Sequence, residues 1–145
     1  MAETLNYDVV VIGSGPGGYV AAIRAGQLGM KTALIEKDDR YGGTCLHVGC
    51  VPTKAMLLNA EVHDYFENAK EYGIVCDGFS LDWAAVQARK NKIVKKLAKG
   101  VEFLLKKNGV ELIQGFARLA GAGRVSVTDA KGQTREVVAK HMILA

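Results

Sequence analysis

The chain has 145 residues, of which 49% are hydrophobic and 23% are charged, with a formal net charge of +4. This composition is typical of a soluble globular domain that can bury a hydrophobic core, and it excludes an intrinsically disordered chain. No apolar run approaches the roughly 20 residues of a membrane-spanning helix, and no secretory signal is recognisable. We therefore expect a cytoplasmic protein, where a cysteine pair more often serves catalysis or metal binding than structure.

A βαβ unit is predicted at the start of the chain. Residues 7–12 contain a continuous apolar run, which indicates a buried strand, and residues 31–36 indicate a second strand. Between them, residues 19–28 predict a helix, and Gly29 stands where a helix commonly ends. Strand, tight turn, helix and strand within about 30 residues are typical of a parallel βαβ unit.

Two long helical segments follow. Residues 45–70 predict a helix with a bend near residues 49–52. Residues 82–107 predict a second helix, capped by Ser80 or Asp82.

The remaining segments read as strands. Residues 110–115 predict a third strand of the parallel sheet, and residues 141–145 resume an apolar strand. Residues 124–128 and 134–138 alternate in polarity around a turn that contains Gly132, which predicts a β-hairpin. We therefore predict an α/β fold of the Rossmann type, with a parallel sheet, flanking helices and a small antiparallel meander laid on the sheet.

The second long helix carries much of the basic excess, between Arg89 and Lys107. A basic cluster can mark a surface for nucleic acid or an acidic partner. Here apolar residues recur at helical spacing, so we interpret the lysines as the solvated side of an amphipathic helix and expect neither nucleic acid nor a membrane as partner. The apolar positions are Trp83, Val86, Ile93, Leu97, Val101, Leu104 and Leu105.

A glycine motif follows the first strand. Gly13, Gly15 and Gly18 fit G-x-G-x-x-G, in which the glycines permit the tight turn, backbone approach to a pyrophosphate and close packing of helix on strand. Glu36 ends the second strand, where a carboxylate accepts hydrogen bonds from an adenosine ribose. The pattern predicts a dinucleotide site, and a ligand-free turn would not explain Glu36. The glycines alone do not choose between NAD(P) and FAD.

Two cysteines, Cys45 and Cys50, lie five positions apart. In a straight helix their Cα atoms would be roughly 8.6 Å apart, whereas a disulfide needs less than about 7 Å. The pair can close only if the backbone bends, which Gly49 and Pro52 permit. A structural zinc site is disfavoured because no second close pair of ligands exists, and Cys76 has no neighbouring partner in the sequence. No metal is expected.

Residues 42–54, with the sequence GGTCLHVGCVPTK, closely resemble the redox-active disulfide segment of the FAD-dependent pyridine nucleotide–disulfide oxidoreductases. Within this family the dihydrolipoamide dehydrogenase branch is the most similar, and mercuric and glutathione reductases are near relatives. Three positions depart from the family pattern. His47 replaces the usual Asn, Val51 replaces Ile, and Thr53 replaces Ser. His47 either tunes the thiol pair or simply replaces one polar residue with another.

The resemblance implies a role for individual residues. Cys45 would exchange with the substrate thiols, Cys50 would lie against the flavin, and Lys54 would hold a positive charge near the flavin's reactive nitrogen. Further cofactor contacts are implied along the nucleotide. The implied contacts with the pyrophosphate and ribityl chain are Gly42, Gly43 and Thr44, and those on the adenine side are Lys37, Gly115 and Ala117.

The resemblance also implies an overall reaction and its partners. Dihydrolipoyl groups of a 2-oxo acid dehydrogenase complex would be oxidised, with electrons passing through FAD to NAD⁺ in a homodimeric parent enzyme. Residues 1–145 would be the N-terminal portion of an FAD-binding domain, without the NAD-binding and dimer-interface domains, and inactive alone. The alternatives are a mercuric or glutathione-type reductase, or a nucleotide-binding module without chemistry.

Overall fold

The computed structural model describes residues 5–145. Six strands form one sheet: β1 (Leu5–Ile12), β2 (Thr32–Glu36), β3 (Glu111–Gln114), β4 (Phe116–Leu119), β5 (Arg124–Thr128) and β6 (Thr134–Leu144). Four α-helices accompany them: α1 (Pro16–Gln27), α2 (Gly43–His47), α3 (Cys50–Glu67) and α4 (Trp83–Lys107), with a 3₁₀ turn at Ala69–Tyr72. The strand order β3-β2-β1-β6-β5-β4 combines a parallel half with an antiparallel half.

The predicted βαβ unit is confirmed. β1 pairs in parallel with β2, with Val9 opposite Thr32 and Ile12 opposite Ile35. Helix α1 ends before Gly29, whose φ of +77° is the left-handed conformation that glycine adopts readily after a helix. β3 pairs in parallel with β2, as predicted for residues 110–115.

The strand β6 differs from the sequence prediction. Residues 134–138 and 141–145 were predicted as separate strands, yet Thr134–Leu144 form one strand of 11 residues. Its first part pairs antiparallel with β5, and the part from Val137 onward pairs in parallel with β1. The meander therefore continues the parallel sheet. It also contains a third strand, β4, which pairs with β5 and which the sequence pattern did not indicate.

The core lies on both faces of the sheet. On one face, buried residues of β1, β2 and β3 pack against the meander through Val125 and Val127. On the other face, Val9 and Val11 pack with Ala22 and Ala25 of α1 and with α4 through Leu105. β1 and β2 are thus covered on both faces, as their apolar sequences predict.

The prediction for the apolar side of α4 is only partly correct. Val86 and Leu105 are buried, but Trp83, Leu97 and Leu104 are exposed to 57%, 45% and 43%. α4 reaches the sheet core through Leu105 and Val101, near its C-terminal end, and contacts α3, α2 and α1. Several of its other apolar side chains face solvent. Among residues 5–145, no helix combines the length and apolar character that a membrane crossing requires.

Candidate functional site

The two cysteines of the motif form a disulfide across a break between helices. Cys45 lies in α2, Cys50 is the first residue of α3, and their Cα atoms are 4.7 Å apart. A Cβ on Gly49 would lie 3.0 Å from the carbonyl oxygen of Thr44 and 3.2 Å from the Cα of Cys45. Since a real side chain would crowd both atoms, glycine permits the close approach that the pair needs. The predicted bend is present, with Pro52 in the first turn of α3.

A shallow depression of about 340 Å³ brings Lys54 and Cys50 to one face of α3. Lys54 follows Cys50 by four residues, so the two project from neighbouring positions of consecutive turns. Arg89 of α4 also lines the depression. The apolar lining residues are Val51, Ala55, Leu58, Ile93 and Leu97. The depression therefore combines one cysteine of the disulfide, two positive charges and an apolar floor.

The glycine-rich turn joins β1 to α1 in a closely packed arrangement. A Cβ on Gly18 would overlap the carbonyl oxygen of Gly13, and a Cβ on Gly13 would overlap the carbonyl oxygen of Ala145. Gly15 differs, since a Cβ there would meet no atom within 4 Å. The first and third glycines thus allow the close packing of turn, helix and strand, whereas the second leaves open space in front of the helix.

The N-terminus of α1 is suited to an anion. Gly15 caps it without a side-chain hydrogen bond, and no acidic residue stands in the first turn. Free amide groups and the helix dipole favour negative charge at such an end. Gly43, at a φ of +64°, approaches so closely that its Cβ would lie 2.7 Å from the Cα of Gly15. The start of the disulfide helix α2 therefore abuts the open end of α1.

Ser14, which is not among the site residues predicted from the sequence, connects these parts. It is fully buried, its amide donates to Oε2 of Glu36 at 2.8 Å, and its hydroxyl donates to the same oxygen. The amide of Gly42 donates to the carbonyl oxygen of Ser14 at 3.0 Å and to its hydroxyl oxygen at 3.2 Å. The one feature of the sequence that could have indicated this role is the position of Ser14, a small hydroxyl residue between the first two glycines of the motif.

Glu36 is buried and receives hydrogen bonds on both carboxylate oxygens. Besides Ser14, the amides of Lys37 and Asp38 donate to Oε1 at 2.8 and 3.1 Å. Burial alone would raise the pKa of Glu36, but the hydrogen bonds from Ser14, Asp38 and Lys37 outweigh it and lower the pKa below its ordinary value. The carboxylate is therefore held ionised and fixed in position.

A hollow of about 160 Å³ adjoins this carboxylate, between the glycine-rich turn and β4. Five of the predicted nucleotide contacts line it together: Gly13, Glu36, Lys37, Gly115 and Ala117. The amide of Gly115 donates to the carbonyl oxygen of Glu36 at 2.8 Å, so the end of β3 is tied to the end of β2.

Thr44 and His47 line another small hollow with Gly43, outside the glycine-rich turn. Nε2 of His47 lies 2.8 Å from the carbonyl oxygen of Tyr41, which ties α2 to the preceding loop.

Within residues 5–145, no three His, Cys, Asp or Glu side chains are grouped so that they could hold a metal ion. Cys76 is half-buried and is not part of the disulfide.

A disulfide hinged between two helices and docked on a glycine-rich βαβ turn agrees with the comparison to known proteins. Residues 7–145 match the family described as pyridine nucleotide-disulphide oxidoreductase. The chain belongs to this family. It is 45% identical over 147 residues to a dihydrolipoyl dehydrogenase of Bacillus subtilis, covering 96% of this chain and 31% of that protein.

Two further relatives are similar to the same extent. A mitochondrial dihydrolipoyl dehydrogenase of Dictyostelium discoideum is 48% identical over 99% of this chain and 30% of its own length. A leghemoglobin reductase of Vigna unguiculata is 46% identical over 95% of this chain and 27% of its own length. The present chain therefore spans about 30% of the length of the curated relatives that it matches.

Proposed function

We propose that this chain is the N-terminal portion of the FAD-binding domain of a dihydrolipoyl dehydrogenase. The Cys45–Cys50 disulfide carries the proposal, because it borders a depression with Lys54 and is joined through Gly42 and Gly43 to an open helix N-terminus. A nucleotide module without chemistry would not need a hinged thiol pair there. The names of the Bacillus and Dictyostelium relatives support this branch of the family.

The chain offers a continuous set of contacts for FAD. The hollow lined by Glu36, Lys37 and Ala117 would take the adenosine end. The uncapped end of α1, with open space at Gly15, would take the pyrophosphate, flanked by Gly43. The residues implied for the remainder are Gly13, Gly18, Gly42, Thr44, Lys54 and Gly115. The order along the site runs from the carboxyl end of β2 to the disulfide, which fits an extended dinucleotide.

The four hydrogen bonds on Glu36 refine its proposed role. A carboxylate has about four acceptor positions, and Ser14, Lys37 and Asp38 occupy them in this structure. Ribose hydroxyls would therefore share or replace one of these donors. The hydroxyl of Ser14 can rotate about its Cα–Cβ bond, whereas the backbone amides cannot, so we infer that it yields its place.

Thiol–disulfide exchange accounts for the first half of the reaction. One thiolate of a dihydrolipoyl group attacks the sulfur of Cys45, which breaks the Cys45–Cys50 bond and leaves Cys50 as a thiolate. The second lipoyl sulfur, as a thiolate, then attacks the lipoyl sulfur of the mixed disulfide, which forms the cyclic lipoyl disulfide and releases Cys45 as a thiolate. The two protons of the dihydrolipoyl group pass to solvent when its thiols ionise. Its two electrons end on the cysteine pair, which is reduced to two thiolates.

Lys54 would stabilise the state that this exchange produces. A positive charge beside a thiol favours the thiolate, and Lys54 shares the depression with Cys50. FAD, when bound, supplies the two-electron acceptor that returns the cysteines to the disulfide, with NAD⁺ as final acceptor. The proposal for the whole enzyme includes a homodimer, the lipoyl carriers of a 2-oxo acid dehydrogenase complex, and the cytoplasm, where such a dithiol stays reduced.

Dihydrolipoamide and FAD test the two parts of the proposal separately. Equimolar dihydrolipoamide is expected to open the disulfide, so that alkylation followed by mass spectrometry labels Cys45 and Cys50. Titration with FAD is expected to quench flavin fluorescence, and Gly15→Leu is expected to abolish quenching because its side chain occupies the open space. Gly17→Ala is the control, because its added Cβ would also meet no atom within 4 Å.

Either part can fail. Preferential opening by reduced glutathione would favour a glutathione-type reductase, and an unreactive disulfide would contradict the exchange role. Quenching that persists in Gly15→Leu would contradict the assigned pyrophosphate position.

A further inference from the structure

Arg89 makes a contact across the two long helices that no motif indicates. Its Nη1 donates to the carbonyl oxygen of Ala55 at 3.1 Å and to Oδ1 of Asn59 at 2.7 Å. Both acceptors lie in α3, about 30 residues away in sequence. Charge-assisted hydrogen bonds of this kind are stronger than those between neutral groups. A single side chain of α4 therefore holds two successive turns of α3.

The location of this contact connects it to the disulfide. Ala55 is buried and follows Lys54 directly, one turn beyond Cys50. Arg89 lines the same depression as Cys50 and Lys54. Few apolar side chains are buried between α3 and α4, so packing alone leaves the relative position of the helices weakly determined. A fixed polar contact has more influence where the core is small.

The electrostatic consequence adds to the mechanical one. Reduction of the disulfide places a negative charge on Cys50 when its thiol ionises. Lys54 and Arg89 both line the depression, and none of the described residues that line it is acidic. A guanidinium is a permanent cation with a rigid donor fork, so the hydrogen bonds to α3 fix its charge in place.

We propose that Arg89 is a positioning residue for the redox centre, which fixes Cys50 and Lys54 against α4 and supplies a second positive charge to the reduced state. This inference rests on the proposed function, since it assigns Cys50 a thiolate during turnover. It predicts that Arg89 affects the redox equilibrium of the disulfide as well as the stability of the chain.

Three variants separate the two contributions. Arg89→Gln removes the charge, Asn59→Ala removes one anchor and keeps the charge, and Lys95→Gln removes an exposed cation of α4 outside the depression. Each is equilibrated in dithiothreitol redox buffers, and alkylation measures the oxidised fraction of Cys45–Cys50. The pKa of the Cys50 thiol is followed by thiolate absorbance in a background where Cys45 and Cys76 are serine.

The expected results form a graded series. Arg89→Gln should shift the equilibrium toward the disulfide by about threefold or more and raise the pKa of the Cys50 thiol, because the thiolate loses a cation. Asn59→Ala should shift both in the same direction by less, and Lys95→Gln should leave both unchanged. Arg89→Lys, which keeps a positive charge, should shift both the redox equilibrium and the pKa of the Cys50 thiol less than Arg89→Gln does.

Two other outcomes would overturn either the inference or the proposed function. If Arg89→Gln lowers the free energy of unfolding but leaves both redox readouts at the level of Lys95→Gln, Arg89 is only a structural clamp. If the redox readouts respond as expected while dihydrolipoamide leaves the disulfide intact, the positioning role stands and the proposed substrate is wrong.

Discussion

The βαβ unit, residues 5–36, and the disulfide arm, which we define as residues 43–97, are stabilised in different ways. Every residue of β2 is buried, and Val10, Val11 and Ser14 are almost inaccessible to solvent. In the disulfide arm, all of which the structure describes, the buried residues are Leu46, Ala55, Ala69 and Val86. The arm instead exposes large apolar side chains, among them Val48, Leu57 and Trp83.

This difference shows how a rigid site can be built from two kinds of structure. The βαβ unit is fixed by a core that tolerates little change in volume. The disulfide side is fixed by individual constraints, namely the Cys45–Cys50 bond, the close approach at Gly49 and the hydrogen bonds of Arg89. Removing one constraint should therefore disturb the arm locally, whereas a defect in the βαβ unit should affect the whole fold.

The largest effect is expected at Gly18. In Gly18→Ala the new methyl group would overlap the carbonyl oxygen of Gly13, so helix and turn must separate. We expect the free energy of unfolding to fall by about 3 kcal/mol, as for a severe overpacking change. Urea denaturation followed by circular dichroism measures it. Gly17→Ala, with open space around its Cβ, is the control and should be neutral or slightly stabilising.

The next effect concerns Glu36 and carries a pH signature. Glu36→Gln presents an amide to four donors, and at pH 7 we expect a loss of about 1–3 kcal/mol in unfolding free energy. Because folding lowers the pKa of Glu36, its ionised form stabilises the native state above the ordinary value of 4.5, and this contribution disappears as the pH falls through the lower folded-state pKa.

The difference in the free energy of unfolding between wild type and Glu36→Gln should therefore become smaller as the pH falls below about 4.5. Denaturant titrations at pH 7, 5, 4 and 3 test this. A difference that stays constant with pH would mean that the charge of Glu36 contributes nothing to folding.

Reduction of the disulfide tests the disulfide arm directly. The disulfide closes a short loop, so its reduction should lower the free energy of unfolding by only about 2 kcal/mol through the added entropy of the unfolded chain. We expect faster amide hydrogen exchange in residues 43–67 after reduction, with β1 and β2 unchanged, because the arm has little core of its own. Cys76→Ser, exchanged in both redox states, controls for the third cysteine. Equal acceleration in β1 would show that the two regions unfold together.

The smallest effect is expected at the start of α4. Oδ1 of Asp82 accepts from the amide of Ala85 at 2.9 Å, which identifies Asp82 as the helix cap. Asp82→Ala should lower the free energy of unfolding by about 1 kcal/mol. Ser80→Ala, the alternative cap considered from the sequence, should change it by less than about 0.5 kcal/mol, as surface substitutions usually do. A larger loss at Ser80 would reverse the assignment.

Much of the βαβ unit was predictable because its signals are local. The apolar run of β1, the glycines and Glu36 lie within 36 residues, and Gly18 packs against the carbonyl group of Gly13, five residues earlier. The backbone bend at the cysteines was also predictable, since five-residue spacing and Gly49 determine it together. The close approach of Gly43, at the start of α2, to Gly15 was not predictable, because it depends on how separate segments pack.

The sequence by itself determined the βαβ unit, the hinge between the cysteines and the capped helix α4, because short-range sterics and hydrophobic periodicity specify them. Only the tertiary structure decided that β6 serves both sheet halves, that Ser14 joins Glu36 to Gly42, and that Arg89 holds α3. These contacts join residues from different elements, and their partners are selected by packing in three dimensions, which spacing along the chain does not encode.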